Sequence, residues 1–172
     1  PLFVTQALCY ALFGLSFNLL LGYGGLMSFG HAAFFGSASY ALAYAMKSWG
    51  VGPEFGIVAG TAAAAFLGVI FGWIALRRQG IYFTMITFAL AQIVYFYALQ
   101  AAWTEGENGI QAVPAGRLFG FVDLRDPYNT YYFVLALFLF GFALTWRIVH
   151  SPFGQVLKAI RQNEARAVSL GY

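Results

Sequence analysis

The sequence predicts an all-α, polytopic helical membrane protein, with about five transmembrane segments, a glycine-rich helix break after the first, and an amphipathic helix at the end. Composition argues this first: of 172 residues, 61% are hydrophobic and 9% charged, against roughly 25% charged in a soluble domain. That leaves too little polar surface to coat a water-soluble globule. The apolar runs, secondly, approach the roughly 20 residues that cross a bilayer. The charges, thirdly, gather between those runs, at the membrane edges. A net charge of +3 could suit nucleic acid, but basic residues at membrane edges are the ordinary determinants of topology. The expected neighbour is therefore the lipid bilayer and not nucleic acid. One cysteine, Cys9, permits no internal disulfide and suits no metal site. The chain opens Pro1-Leu2 without methionine or a basic leader, and is read as the interior of a longer protein.

Segment A, residues 3–21, carries no charge and is long enough to cross at about 1.5 Å per residue. It runs into GYGGLMSFGHAAFFGSASY, residues 22–40, where Gly22, Gly24, Gly25 and Gly30 fall within nine positions. Each glycine costs about 1 kcal/mol relative to alanine in a helix interior. An interrupted backbone at membrane depth must be buried in protein or line an aqueous cavity, and such breaks mark transport pathways. Ser28 and His31 are the polar side chains beside it, so these six residues are candidates for a substrate pathway. His31 also has a plainer reading, as a helix-break residue bonded to backbone. Segment B, 32–46, is short for a crossing and completes one only if the break occupies part of the membrane depth. Whether A or B spans fully, or the break is re-entrant, stays open.

Residues 47–54 form a short loop with Gly50, Gly52 and Pro53 as turn residues. Segment C, 55–76, stops at Arg77-Arg78 and carries Gly56, Gly60, Ala64, Gly68 and Gly72 on one face, the small-residue seam along which membrane helices approach closely. Segment D, 81–103, repeats Thr84, Thr87, Ala91 and Tyr95 at helical spacing with Gln92 beside them. Membrane threonines often only bond back to their own helix, whereas a buried unpaired amide is expensive. Thr84, Thr87 and Gln92 join the pathway candidates. Residues 104–127 are too charged to be embedded, and segment E, 128–148, returns the chain to Arg147 and His150.

Loop charge sets the orientation. Arg77 and Arg78 carry +2, the stretch from Arg147 onward has four basic and one acidic residue, and residues 104–130 have two basic and four acidic. Positive loops face the cytoplasm, which makes 47–54 and 104–127 external. Trp73 and Trp146 then mark the inner interface, and Trp49, Trp103 and Tyr128 the outer one.

The final stretch, 151–172, is read as one helix. Ser151 is a natural N-cap, Pro152 suits the first helical position, and Gly171 is a stop signal. Phe153, Val156, Leu157, Ile160, Ala167 and Val168 share an apolar face, with Lys158, Arg161, Gln162 and Arg166 on the other. Such a helix can lie on lipid headgroups or dock in a protein groove. Nothing in the chain forms an enzyme constellation: His31 and His150 stand alone, no carboxylate pair is embedded, and no GxxxxGK[ST] phosphate loop is present. No catalytic residue, metal or cofactor is expected in this chain.

Four blocks, GYGGLMSFGHAAFFGSASY, RRQGIYFTMITFALAQI, TEGENGIQAVP and SPFGQVLKAIRQNEARAVSLGY, resemble in that order the permease subunit of branched-chain amino acid ABC transporters. The resemblance runs from about Leu15 to Tyr172, and family members are longer at both ends. It departs at Glu105, where the family usually has a second glycine in a TGG-like turn. It departs also in the last helix, where Ala167-x-x-x-Gly171 fits the ABC permease EAA loop while Glu164 is displaced. The resemblance implies a single permease domain over 1–172 in a bacterial inner membrane, with 151–172 as a cytoplasmic coupling helix. It implies a second permease subunit, two cytoplasmic ATP-binding subunits and a periplasmic substrate-binding protein as partners. Phe153, Gly154, Leu157, Arg161, Glu164, Ala167 and Gly171 would then meet the ATPase. The implied function is ATP-driven import of branched-chain amino acids. A urea or short-amide permease is the neighbouring alternative. A secondary transporter or channel acting without an ATPase is the alternative from another class, which the charge-free segment cores disfavour.

Overall fold

The computed structural model describes residues 2–78, 80–118, 120, 122–163 and 167. Six α-helices run in order: α1 (Leu2–Asn18), α2 (His31–Ser48), α3 (Pro53–Ala75), α4 (Ile81–Gln100), α5 (Pro127–Val149) and α6 (Pro152–Gln162). α1 passes directly into a π-helical turn, Leu19–Tyr23. There Gly24 N donates to Leu19 O at 3.2 Å and Leu26 N to Leu20 O at 3.2 Å, so the helix widens before it stops. Among the described residues, four helical stretches are long and apolar enough to cross a membrane: Leu2–Tyr23, Pro53–Ala75, Ile81–Gln100 and Pro127–Val149. The fifth expected segment, α2, is less apolar and is not among them. Its 18 residues extend about 27 Å at 1.5 Å per residue, close to the roughly 30 Å hydrocarbon thickness. Helical length alone thus brings α2 near a full crossing, with no help from the break.

The chain divides into two compact units, one of Pro1–Met27 with Thr130–Tyr172 and one of Ser28–Asn129. In the second unit α2 and α3 pack as antiparallel neighbours, joined by the short loop that Pro53 closes at the first position of α3. The seam depends on two glycines of α3. A Cβ on Gly56 would stand 3.0 Å from Met46 Cγ, and one on Gly60 only 2.7 Å from the Ala38 carbonyl oxygen. Lower down the row the reason disappears: nothing lies within 4 Å of a Cβ on Gly68, and Gly72 meets only Leu76 of its own helix. The predicted seam is therefore used within the chain along the N-terminal half of α3. Phe66, Val69 and Trp73 remain exposed on α3, an apolar surface suited to lipid or to another subunit.

The stretch between α4 and α5 holds two 3₁₀ turns, Ala102–Thr104 and Gly106–Asn108, and a small antiparallel pair, β1 (Arg117–Leu118) with β2 (Val122–Asp123). These two-residue strands are the departure from an all-α chain.

In the first unit α1 meets α5 where a Cβ on Gly141 would come 2.5 Å from Leu12 Cδ1. Phe138, Phe142, Trp146 and His150 stack in steps of four along α5, the last pair at 4.3 Å between ring centroids. α6 starts as its sequence dictates, with Ser151 Oγ accepting from Gly154 N at 3.4 Å and Pro152 in the first turn. It does not continue as one helix to Gly171. Asn163 is extended at φ −164°, ψ 103°, and this closes α6 after Gln162. Helix resumes by Ala167, whose N–H donates to Asn163 O at 3.0 Å. Glu164 and Gly171 lie outside the described residues.

The seam can be tested by substitution. Gly60→Leu should open α2 from α3 and lower the thermal midpoint of the full-length protein in detergent, because backbone and not a flexible side chain opposes the new atoms. Gly68→Leu should leave that midpoint unchanged; equal effects would show the seam to be misplaced.

Candidate functional site

The two halves of the glycine-rich break have different surroundings. Gly22, Gly24 and Gly25 belong to the first unit, Ser28, Gly30 and His31 to the second, and each half is satisfied locally.

In the second unit, Thr87 Oγ1 accepts the Phe29 N–H at 3.3 Å and donates to Thr84 O at 2.9 Å. Ser28 Oγ accepts the Gly30 N–H at 3.2 Å. Ser28 is 3% and Thr87 2% exposed, so these are desolvated bonds to backbone that would otherwise lack a partner. Gly30 packs on the Phe71 ring, where a Cβ would stand 3.0 Å from two ring carbons. His31 opens α2 and meets Phe34 edge-on at 5.9 Å. Thr84 and Thr87 lie within two turns of the start of α4, about 10 Å along its axis at 1.5 Å per residue. The break therefore sits toward the Arg77–Gly80 end of the unit and not at its middle. Thr84 also bonds back to Gly80 O at 3.4 Å, the plain role that membrane threonines often have.

From this point a cleft of about 280 Å³ runs between α2 and α4, at the small end of ligand pockets, which span roughly 300–1,000 Å³. Ala32, Gly36 and Tyr40 contribute from α2, and Ala91, Gln92 and Tyr95 from α4. Phe29 and Phe88 meet edge-on at 6.2 Å at its inner end. The walls are mostly apolar. The Gln92 amide makes no hydrogen bond among the described residues, which leaves it available to a solute. Of the expected pathway residues, Gln92 alone lines the cleft, while Thr87 holds the backbone of Phe29, which lines it too. The α2 wall was missed. Its signal, Ala32, Gly36 and Tyr40 at spacing four, is in the sequence, but small residues on a membrane helix ordinarily denote packing, and here no atom lies within 4 Å of a Cβ on Gly36.

At the other end of α2, Lys47 Nζ lies 2.5 Å from Glu105 Oε1 and donates to Gln111 O at 3.1 Å. Trp103 touches Tyr40, Tyr44 and Tyr97. Thr104, fully buried, donates toward the carbonyls of Ala98 and Ala101. Glu105 itself is left-handed at φ 61°, ψ 20°, a conformation that costs a side-chain-bearing residue about 1–2 kcal/mol and glycine little. This accounts for the glycine expected at this position, and Lys47 is what makes a glutamate serviceable there.

In the first unit, Arg161 Nη1 donates to Gly22 O, and its aliphatic stem covers Gly25, where a Cβ would stand 2.8 Å from Arg161 Cγ. Lys158 Nζ lies 5.3 Å above the Tyr23 ring. Gly154 is buried, and a side chain there would strike the carbonyls of Ile148 and Val149 at the end of α5. Ala167 is 2% exposed. Gly154, Arg161 and Ala167, expected at the ATPase, are therefore engaged or buried within their own chain. The exposed apolar row of α6 is Phe153 at 62% and Ile160 at 39%, with half-buried Leu157 between them.

Helices long and apolar enough to cross a membrane, a first span that ends in a glycine-rich break, and a small, mostly apolar cleft beside the Gln92 amide together suit a polytopic membrane permease-type chain. The chain belongs to the branched-chain amino acid transport system / permease component family, whose description matches residues 2–172. It is 29% identical over 195 residues to the high-affinity branched-chain amino acid transport system permease protein LivM of Salmonella typhimurium strain LT2, and likewise to LivM of Escherichia coli K12. Each alignment covers 97% of this chain and 45% of the relative, so the chain spans just under half the length of these curated relatives. No solved structure matches it.

Two stability measurements check the site. Thr87→Val removes the acceptor of a part-buried N–H and should destabilise the full-length protein by about 1 kcal/mol, while Thr87→Ser should restore most of the loss. Glu105→Ala keeps the left-handed strain without the ion pair and should lower the thermal midpoint. Glu105→Gly should match or exceed wild type, since an exposed ion pair contributes only about 0–1 kcal/mol.

Proposed function

We propose that this chain is the pathway-bearing part of a membrane permease subunit that imports branched-chain amino acids, driven by ATP hydrolysis on separate cytoplasmic subunits. The observation that carries the reading is the α2–α4 cleft. A small, mostly apolar space with a single unengaged amide at Gln92 complements a solute with one hydrocarbon side chain and a compact polar head. Urea, polar on every side, would leave these walls unsolvated, so the cleft favours the amino acid over the short-amide alternative. The relatives' names give the same substrate class. A second permease subunit would close the open side of the cleft, and a periplasmic binding protein would meet the 104–127 end. The membrane is the bacterial inner membrane, with α6 in the cytoplasm.

The arrangement of α6 supports the coupling role. Its basic side chains Lys158 and Arg161 turn to their own chain, and the adjoining row Phe153, Leu157 and Ile160 is left outward. An exposed apolar row on a helix outside the spans suits a groove in a partner protein. Phe153 and Leu157 are therefore kept as ATPase-facing residues. Gly154 is reassigned to the tight α5–α6 turn, and a tryptophan there would disturb the chain itself.

The test uses the full-length protein with its partner subunits in proteoliposomes. ATP-dependent leucine uptake, uncompeted by urea, is expected, and Gln92→Leu should lower it about tenfold or more, the loss of one directed polar contact amounting to roughly 1.4 kcal/mol. Phe153→Asp with Ile160→Asp should detach the ATPase subunits while the membrane subunit remains inserted. Uptake that needs no ATPase, or an effect of urea equal to that of leucine, would overturn the assignment.

A further inference from the structure

A helix that ends inside a membrane protein leaves its last carbonyls without intrahelical partners and with partial negative charge. At the end of the π-turn one such carbonyl, that of Gly22, is taken by the Arg161 guanidinium. The next turn of chain is shaped to the same side chain. Gly25 is at φ 69°, and its missing Cβ is the space that Arg161 Cγ and Cδ occupy. One turn back on α6, Lys158 sits over Tyr23, a cation–π arrangement. Three contacts of different kinds, a charge-assisted hydrogen bond, a steric fit and a ring contact, join α6 to the four-residue stretch from Gly22 to Gly25. Among the described residues neither Lys158 nor Arg161 has a carboxylate partner.

We propose that Arg161 is a positioning residue that ties α6 to the end of the first span, so that a movement of α6 is delivered to the glycine-rich break. The inference rests on the coupling reading of α6 and goes beyond it by naming the attachment on the membrane side. Arg161 acts inward, and the ATPase is met by the Phe153 row. The continuation is covalent: Leu26 and Met27 lead straight into Ser28–Gly30, whose backbone is held by Thr87 and Ser28. The planar guanidinium suits this role, because it can hold a carbonyl with a directed N–H while its stem fills the glycine gap.

The experiment is a double-mutant cycle in the full-length transporter, with uptake expressed per assembled complex. Arg161→Met and Gly25→Ala should each lower the maximal rate of ATP-driven uptake by about fivefold or more, the lower range of inter-site coupling effects. KM should stay within about twofold and ATPase co-purification should be unchanged. Arg161→Lys should fall between Met and wild type. The double variant should be no slower than the slower single, since both changes break one link. If Arg161→Met does not assemble, the cycle is run with Arg161→Lys. Loss of ATPase co-purification would make Arg161 a docking residue and overturn the proposal. So would wild-type rates in the single variants, or losses that multiply in the double. A wild-type transporter lacking ATP-driven uptake would instead refute the reading of the previous section, so the two failures are distinguishable.

Discussion

Every backbone N–H and C=O that leaves a helix within a membrane protein must find a partner in the protein or in trapped water, and the chain is organised around how it meets that demand at one place. The break after Tyr23 exposes several such groups. They are taken up by side chains from distant sequence: the Thr87 hydroxyl for Phe29 N and the Arg161 guanidinium for Gly22 O. Where the partner comes from another element, as with Thr87 and Arg161, the bond registers that element against the chain at its own half of the break. The hydrophobic effect supplies no comparable registration between helices in lipid. The small residues that let helices approach, and the few polar groups that find each other, carry it instead.

The end of the Ser28–Asn129 unit where α4 finishes meets a different demand. There the chain turns back on itself outside the spans, and the turn is closed by buried Thr104 on the carbonyls that end α4, by Trp103 among three tyrosines, and by Lys47 reaching Glu105 and the Gln111 carbonyl. The left-handed Glu105 is the local expense of that closure. The α2–α4 cleft lies between these two ends and is held open by the absence of side chains. Ala32 and Gly36 have no bulk to fill it, and Gln92 has no neighbour to bond.

Helix existence and most boundaries were legible in the sequence, because a bilayer turns an apolar run of known length into a helix with few alternatives. α3, α4 and α5 fall within three residues of the predicted segments. The start of α6 was legible too, since Ser151 and Pro152 form a local cap that needs no tertiary help. Its end was misplaced. Gly171 is a familiar stop signal, whereas Asn163 ends α6 by becoming extended, and asparagine at such a position carries only a weak preference. The glycine-rich break was located correctly, but its surroundings were not. Nothing local tells Gly22 and Gly25 that Arg161, well over a hundred residues away, will bond the carbonyl of the first and fill the space beside the second.

By itself, then, the sequence determined the class of protein, the existence of several long apolar helices, and the place where the first of them is interrupted. These follow from composition, periodicity and turn chemistry, all of which act over one or two turns of chain. Only the tertiary structure decided which repair group serves which carbonyl, and which half of the α3 glycine row is a seam. It alone turned the charged side of α6 inward and left an apolar row outward. The physical reason is that a small or polar residue on a membrane helix has several equivalent uses, as packing, lining or bonding partner. The atom that stands opposite it selects among them.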